Sequence, residues 1–342
     1  MTGVFNTMLN RLLDGESLAE SEASDLMMHL AEGDMQPALA GALLAALRAK
    51  GETADEIRGF ATAMRSLAVH PKIPDGTPTV DTVGTGGDGS GSLNLSTGTG
   101  LLAAAAGARV VKHGNRSVSS RSGSADMLEC LGMPLPLHEV EAVACLEATG
   151  FTFLFAPAYH PAMKAVVPVR AALSVRTVFN MLGPLTNPAA PPFQLIGAWS
   201  REAAKLMADS LAGMPIDRAF VVHGAPGWDE ASPVGEFTLY DVRPGSVDET
   251  TRIPEDYGLK RCTPEDLAGG DAEHNARELL RVFNGEDKGA HRDALLMGTS
   301  LVLEVQGSVR NAIEGVEMAN AALDDGRAGV LIRDMQRHFE SP

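Results

Sequence analysis

The chain changes texture at residues 71–76, Pro-Lys-Ile-Pro-Asp-Gly, and that change constrains the fold more than any other feature. Two prolines and a glycine interrupt any helix, and Thr79-Val80-Asp81-Thr82-Val83, just beyond, is β-branched at four of its five positions. A strand begins there. Upstream, apolar residues recur at helical spacing in Leu12, Leu13 and Leu18 and again in Leu26, Met27 and Leu30, while 38–49 is almost wholly apolar. This predicts successive short helices over 5–69, the third of them buried. Thr53, three residues before Glu56 with Asp55 between, fits a capping box opening a fourth helix that runs to about Leu67.

Downstream, strand patterns at 109–112, 151–155, 193–198 and 218–223 alternate with helical ones near 101–106, 127–131, 140–149 and 202–213. Such alternation builds a mainly parallel sheet with helices on both faces. Residues 161–173 are helical in pattern and are expected to pack back on the opening helices. The stretch 272–328 reads as three helices broken near Gly285 and Gly307. The expected fold class is therefore α/β, with a small all-helical domain beside a large α/β domain. The first takes 1–72, with about 161–188 returning to it; the second takes 75–160 and 189–342.

Charge narrows the partners. Twenty-eight basic against 44 acidic residues leave a formal charge of -16, which repels nucleic acid unless cations gather in one cleft. Lys112, Arg116, Arg121, Lys164, Arg170 and Arg176 fall in mid-chain, so a small anion remains a candidate ligand. Cys130, Cys145 and Cys262 lack metal-ligand spacing and are expected to be free, buried thiols. No leader-like segment opens the chain and no apolar run approaches the roughly 18 residues of a spanning helix, so a cytoplasmic protein without membrane partners is expected.

Four segments carry chemistry. Gly84-Thr85-Gly86-Gly87-Asp88-Gly89-Ser90-Gly91 places five glycines in eight positions directly after the first strand, and Asn94-Leu95-Ser96-Thr97 opens a helix. Glycines let backbone N–H groups converge on phosphate oxygens, and hydroxyls at a helix start add donors. The loop lacks the lysine of a P-loop and the spacing of GxGxxG, and a flexible surface loop would look similar. The run 112–126, from Lys112, His113, Asn115 and Arg116 to Ser124 and Asp126, sets cations among hydroxyls at the carboxyl end of a parallel strand, where α/β sheets bind ligands. Lys112 is suited to charge on a leaving pyrophosphate and Asn115 to a second substrate. Third, a helix reaching back to His160 would hold it roughly 80° from Arg170, so that one ligand could touch both; the guanidinium would grip a carboxylate in two-pronged fashion. A lone histidine is more often a cap or surface residue. Fourth, Trp228-Asp229-Glu230 follows the strand ending at His223-Gly224, and adjacent carboxylates there can hold hydrated Mg²⁺, although paired surface acids are common.

Taken together, GTGGDG at 84–89, NLST at 94–97, KHGNRSVSSRSGSAD at 112–126, HPAMK at 160–164, VRTVFNMLGPLTNP at 175–188 and WDE at 228–230 resemble the anthranilate phosphoribosyltransferase family along nearly the whole chain. The resemblance implies a nucleoside phosphorylase-like architecture, a homodimer joined through the helical part, and transfer of a phosphoribosyl group to anthranilate in tryptophan biosynthesis. It implies that Gly84, Gly86, Gly87, Asp88, Asn94, Ser96, Thr97, Lys112 and Ser124 bind phosphoribosyl pyrophosphate. Asp229 and Glu230, with Ser96, would hold magnesium. Gly84, His113, Asn115, His160, Arg170, Gly183 and Pro184 would contact anthranilate, and Lys112 and Arg170 would carry the catalytic roles. The chain departs from the family pattern at Tyr159, often histidine, at Trp228, usually leucine, and at Ser92-Leu93, commonly Thr-Phe. Rival readings are the same reaction on another aromatic amine, a pyrimidine-nucleoside phosphorylase, which would want a longer carboxyl-terminal domain, and a non-catalytic nucleic-acid binder. The acidic charge and the retained Asp229-Glu230 pair argue against the last.

Overall fold

The structure, a computed structural model, describes residues 2–117 and 121–340. Four helices open the chain: α1 (Thr2–Leu13), α2 (Glu20–Glu32), α3 (Pro37–Lys50) and α4 (Ala54–Ser66). The capping box at Thr53 is present, its hydroxyl accepting from Glu56 N at 3.3 Å while the Glu56 carboxylate accepts from Thr53 N at 2.8 Å. Glu56 is fully buried and also accepts from Leu18 N at 2.8 Å and from Lys50 at 3.0 Å, so one carboxylate ties three segments of the bundle together.

The remainder alternates strand and helix: β1 (Thr79–Gly84), α5 (Leu95–Ala105), β2 (Arg109–Gly114), α6 (Ser124–Cys130), α7 (Glu139–Thr149) and β3 (Phe151–Phe155). There follow α8 (Ala156–Tyr159), α9 (Val167–Leu173), α10 (Phe179–Leu185), β4 (Phe193–Gly197), α11 (Arg201–Ala212) and β5 (Arg218–Gly224). The chain closes with β6 (Phe237–Arg243), β7 (Ser246–Arg252), α12 (Ala272–Phe283), α13 (Ala290–Val305), α14 (Ala312–Asp324) and α15 (Arg327–Glu340). One sheet runs β3-β2-β1-β4-β5-β6-β7, parallel from β3 to β5 and antiparallel at β6 and β7. Neighbouring side chains on a strand enter different cores. Leu195, Phe220 and Leu239 join the larger apolar cluster, whereas Ile196, Val221 and Tyr240 join the cluster shared with α1–α4 and α11. This is the signature of a sheet covered on both faces.

Three expectations need correction. The segment 161–173 is not one helix: His160 sits at φ -122°, ψ 63°, a 3₁₀ turn spans Pro161–Ala165, and α9 starts only at Val167. The prolines at 161 and 168 account for the break. The closing region holds a fourth helix, α15, beyond the three expected, and the hairpin β6–β7 was not foreseen. Cys145 is buried as expected, but Cys130 is exposed; all three thiols are free. The 3₁₀ turn packs on α2, α9 on α3 and α10 on α4, so this stretch does lie against the opening helices. No helix among the described residues is long and apolar enough to cross a membrane.

Gly59 marks the tightest helix contact. A Cβ there would lie 2.2 Å from Glu20 O and 2.8 Å from Ala23 Cβ, and the first of these is backbone that moves only with α2. Gly59→Ala is expected to destabilise the protein by about 1–3 kcal/mol, read as a lowered urea midpoint at unchanged m-value.

Candidate active site

β1 lies between β2 and β4, so the chain leaves it in opposite directions on its two sides. That switch point is where an open α/β sheet binds ligands, at the carboxyl ends of its strands. Four of those ends are glycines: Gly84, Gly114, Gly197 and Gly224. Close approach requires each of them. A Cβ at Gly84 would lie 2.5 Å from Asp229 Oδ2, at Gly114 2.6 Å from Ser124 Oγ, at Gly197 1.5 Å from Asp229 O, and at Gly224 1.9 Å from Glu230 O. Residues 228–230 therefore lie across the strand ends in direct backbone contact, delivering Asp229 and Glu230 to the site. Gly197 and Gly224 were not singled out in the sequence; the recurrence of glycine at successive strand ends was the available signal.

Two chambers open here. The first, about 490 Å³, is lined by Gly84, Gly86, Gly87 and Asp88 of the glycine loop, by Asn94 and Ser96, and by Asp229 and Glu230. Arg121, Ser122, Gly270 and Asn275 also line it. Asn94 is held rigidly: its side chain donates to Ser122 O at 3.2 Å and accepts from Asn275 Nδ2 at 2.8 Å and Ser122 Oγ at 3.0 Å. Ser92-Leu93 docks the end of the loop on 267–269, with Leu93 N donating to Leu267 O at 3.0 Å.

Three expected contacts do not face this chamber. The Thr97 side chain is fully buried in the core, one helical step around from Ser96. Ser124 turns away, donating to Asn115 O at 3.2 Å. Lys112 is 2% exposed and lies beneath the floor, donating to Thr82 O and, at 3.2 Å, to Ser96 Oγ. Of the other mid-chain cations, Arg121 enters the first chamber, Lys164 and Arg170 the second, and Arg116 folds back on Asp126 and Glu129. Val118, Ser119 and Ser120 of the same motif lie outside the described residues.

The floor is electrostatically one-sided. Burial lowers the Lys112 pKa, opposed by Asp81, Glu230 and Asp229. Burial likewise drives Asp81 up to about 6; burial with the nearby Asp88 drives Asp229 up, and burial with the nearby Asp229 drives Glu230 up. One ammonium thus faces the buried Asp81 and Asp229 and the half-buried Glu230, and Asp88 stands beside them, accepting from Asp229 N at 3.2 Å. Gly86 N at 2.5 Å and Ser96 N at 3.1 Å offset part of the excess negative charge on Asp229 and Glu230. An added cation would offset the rest. The donors are oxygens throughout and are not drawn into a compact cage, as suits a hard divalent ion that keeps much of its water.

The second chamber, about 390 Å³, is more apolar. Gly84, His113, Asn115, His160, Arg170, Gly183 and Pro184 all line it, with Met64, Met163 and Phe179 among their neighbours. Gly84 belongs to both chambers, so they meet at the end of β1. His113 Nδ1 faces Gly183 O at 3.2 Å; a carbonyl only accepts, so that nitrogen carries the proton. Burial holds His113 near pKa 3 and His160 near 4, both neutral, with ring centroids 5.1 Å apart. Arg170 lies 5.1 Å from the Phe179 ring centre, and burial lowers its pKa, with no carboxylate among the described residues paired with it. His160 and Arg170 line one chamber although no continuous helix joins them, the chain leaving helical geometry at His160. Tyr159, buried in the core, does not line it.

This architecture defines a class. The sequence matches the glycosyl transferase family, a/b domain, over residues 76–329 and the family's helical bundle domain over 6–68. The anthranilate phosphoribosyltransferase of Rubrobacter xylanophilus is 45% identical over 320 residues, covering 94% of this chain and 93% of its own. The crystal structure of anthranilate phosphoribosyltransferase from Thermus thermophilus superposes with TM-score 0.91 at 42% identity, covering 98% and 99% of the two chains. That from Saccharomyces cerevisiae, in complex with PRPP and Mg, gives 0.90 at 26% identity, covering 100% and 99%. The chain belongs to the anthranilate phosphoribosyltransferase family.

Two outcomes follow from the geometry. Gly197→Ala should displace residues 228–230 and weaken divalent-cation binding at least about tenfold, because an overlapped backbone must move; calorimetric titration with Mg²⁺ and with Mn²⁺ would measure it, and unchanged affinity would contradict the crossing. The histidines set an acid limb. Their folded pKa values lie below the unfolded 6.5, so their stabilising contribution is complete above pH 6.5 and is lost as pH falls toward 4. From pH 6.5 to 5, wild type should lose about 1.5 kcal/mol more than a folded His160→Gln variant, compared by urea unfolding at each pH.

Proposed function

We propose that this protein transfers the phosphoribosyl group of phosphoribosyl pyrophosphate to the amino group of anthranilate, yielding N-(5-phosphoribosyl)anthranilate and pyrophosphate in tryptophan biosynthesis. The observation that carries the reading is the meeting of two unlike chambers at Gly84. One is rich in amides, hydroxyls and carboxylates, and the other is apolar with neutral imidazoles and an arginine that has no carboxylate partner among the described residues.

In this reading Gly86, Gly87, Asp88, Asn94 and Ser96 bind the phosphoribosyl donor, and Asp229 and Glu230, with Ser96, hold Mg²⁺. The ion would supply charge to the departing pyrophosphate. Lys112 acts from beneath, fixing Ser96 Oγ and partly neutralising the carboxylates, so its catalytic contribution is to hold the floor at a workable charge. Loop amides and the rigid Asn94 orient the donor without reorganisation, which is where much of the rate advantage of a dissociating sugar centre lies. In the second chamber Arg170 takes the anthranilate carboxylate, Asn115 and Gly183-Pro184 bound the ring, and the neutral His113 and His160 add no competing positive charge. The aryl amine is already neutral near pH 7, so a strong base is unnecessary.

The wider assignments share this footing. The helical part, 1–72 with about 161–188, and the α/β part, 75–160 with 189–342, are proposed as the two domains, with a homodimer joined through the former. Val4 and Leu13, more than half exposed on α1, are available apolar surface for that contact. Its setting is proposed to be the cytoplasm.

Anthranilate fluorescence should fall when enzyme, phosphoribosyl pyrophosphate and Mg²⁺ are combined, and should persist when a chelator removes the metal. Arg170→Ala should lower kcat/KM for anthranilate about 100-fold, as expected for losing a charge-assisted two-pronged contact, while remaining folded. Consumption of a different aromatic amine, but not anthranilate, by folded wild type would reassign the acceptor.

A further inference from the structure

Arg176 occupies the link between α9, which carries Arg170, and α10, which carries Gly183 and Pro184. Its guanidinium donates to Gly87 O at 2.6 Å and stacks over the Trp199 ring, 4.7 Å from the centroid. Its own carbonyl accepts from Arg48, on α3 of the helical layer. One residue thus joins the helical layer, the wall of the second chamber and the glycine loop of the first. The loop needs such an anchor: Gly86, Gly87, Gly89 and Gly91 all adopt positive φ, and glycine-rich backbone is costly to hold in one shape. Gly87 O and the N–H of Asp88 belong to one planar peptide and point in opposite directions, so fixing the carbonyl fixes that donor. Trp199 in turn is rigidly based, lying between the end of β4 and Ser200, which caps α11 by accepting from Ala203 N at 3.1 Å.

We propose that Arg176 is a positioning residue for the phosphoribosyl donor, holding the glycine loop in its binding shape and coupling that shape to the acceptor chamber. The proposal rests on the function argued above. Because the same link fixes α9 and α10, ordering of the acceptor chamber orders the loop, and the two substrates bind synergistically. Arg176 touches no reacting atom in this scheme.

The test is calorimetric binding of phosphoribosyl pyrophosphate with Mg²⁺ to wild type, Arg176→Ala, Arg176→Lys and Trp199→Leu, alone and with saturating benzoate as an unreactive aromatic carboxylate. Arg176→Ala should bind the donor about tenfold more weakly, the worth of one hydrogen bond and one stacked cation, and should lose any tightening by benzoate. At saturating donor its anthranilate KM should rise by the same factor by which benzoate tightens donor binding in wild type, because coupling is reciprocal, a pattern that general destabilisation would not give. Arg176→Lys should recover part of the affinity. Should Arg176→Ala not fold, Trp199→Leu must still weaken donor binding, and unchanged affinity there overturns the proposal. Wild type that binds the donor as tightly as Arg176→Ala overturns this inference alone, whereas wild type that binds no donor overturns the functional reading with it.

Discussion

The passage of residues 228–230 over the glycine ends of β1, β4 and β5 is the constraint on which the rest of the site depends. Asp229 O and Glu230 O approach to where any side chain at 197 or 224 would stand, so the two carboxylates are located by backbone contact rather than by their own rotamers. A loop pressed on a sheet edge has little freedom, which suits groups that must wait at a fixed place for a charged substrate. Gly84 serves the same fit from β1 and at once forms the common wall of both chambers. Small residues here do what large ones do in a core: they set the distance between elements.

The cost of that placement is electrostatic. Asp229 and the half-buried Glu230 lie close to Asp88, and among the described residues Lys112 opposes them from below while Gly86 N and Ser96 N donate to them. A lysine at the floor cannot reach out to a phosphate without leaving Asp81 and Glu230 uncompensated, which would be expensive in a low-dielectric interior. In the proposed reaction its role would consequently be indirect. The same logic explains the second chamber in reverse: with His113 and His160 kept neutral by burial, the positive charge of Arg170 is not diluted by neighbours and no internal acid competes for it. The two chambers therefore differ in the sign of what they lack, cation in one and carboxylate in the other.

Much of this was legible in local sequence. The Thr53 cap, the strand at 79–84 and the glycine loop depend on residues a few positions apart, and all seven expected acceptor contacts meet in one chamber. What escaped depends on distant partners or on position within an element. Lys112 looks like a phosphate contact until Thr82, Ser96 and Glu230 are set around it. Thr97 differs from Ser96 only by a rotation about α5 that spacing alone did not resolve. The strand β7, Ser-Val-Asp-Glu-Thr-Thr-Arg, is mostly exposed at the sheet edge and has no apolar alternation to announce it.

The two chambers raise a question of timing that the fold itself answers in part. A cation-like sugar centre must meet the amine and not water, so the acceptor should be in place, and the loop ordered, before the pyrophosphate departs. The link 174–178 lies where it would enforce that order, since α9 and α10 line the second chamber while Arg176 holds Gly87 on the far side of Gly84. Arg48, from α3, fastens the same link to the helical layer, so a shift of that layer would reach both chambers together. In the proposed reaction a helical unit that carries none of the acids or glycines of the first chamber would thereby take part in the chemistry, through the backbone of one short connection.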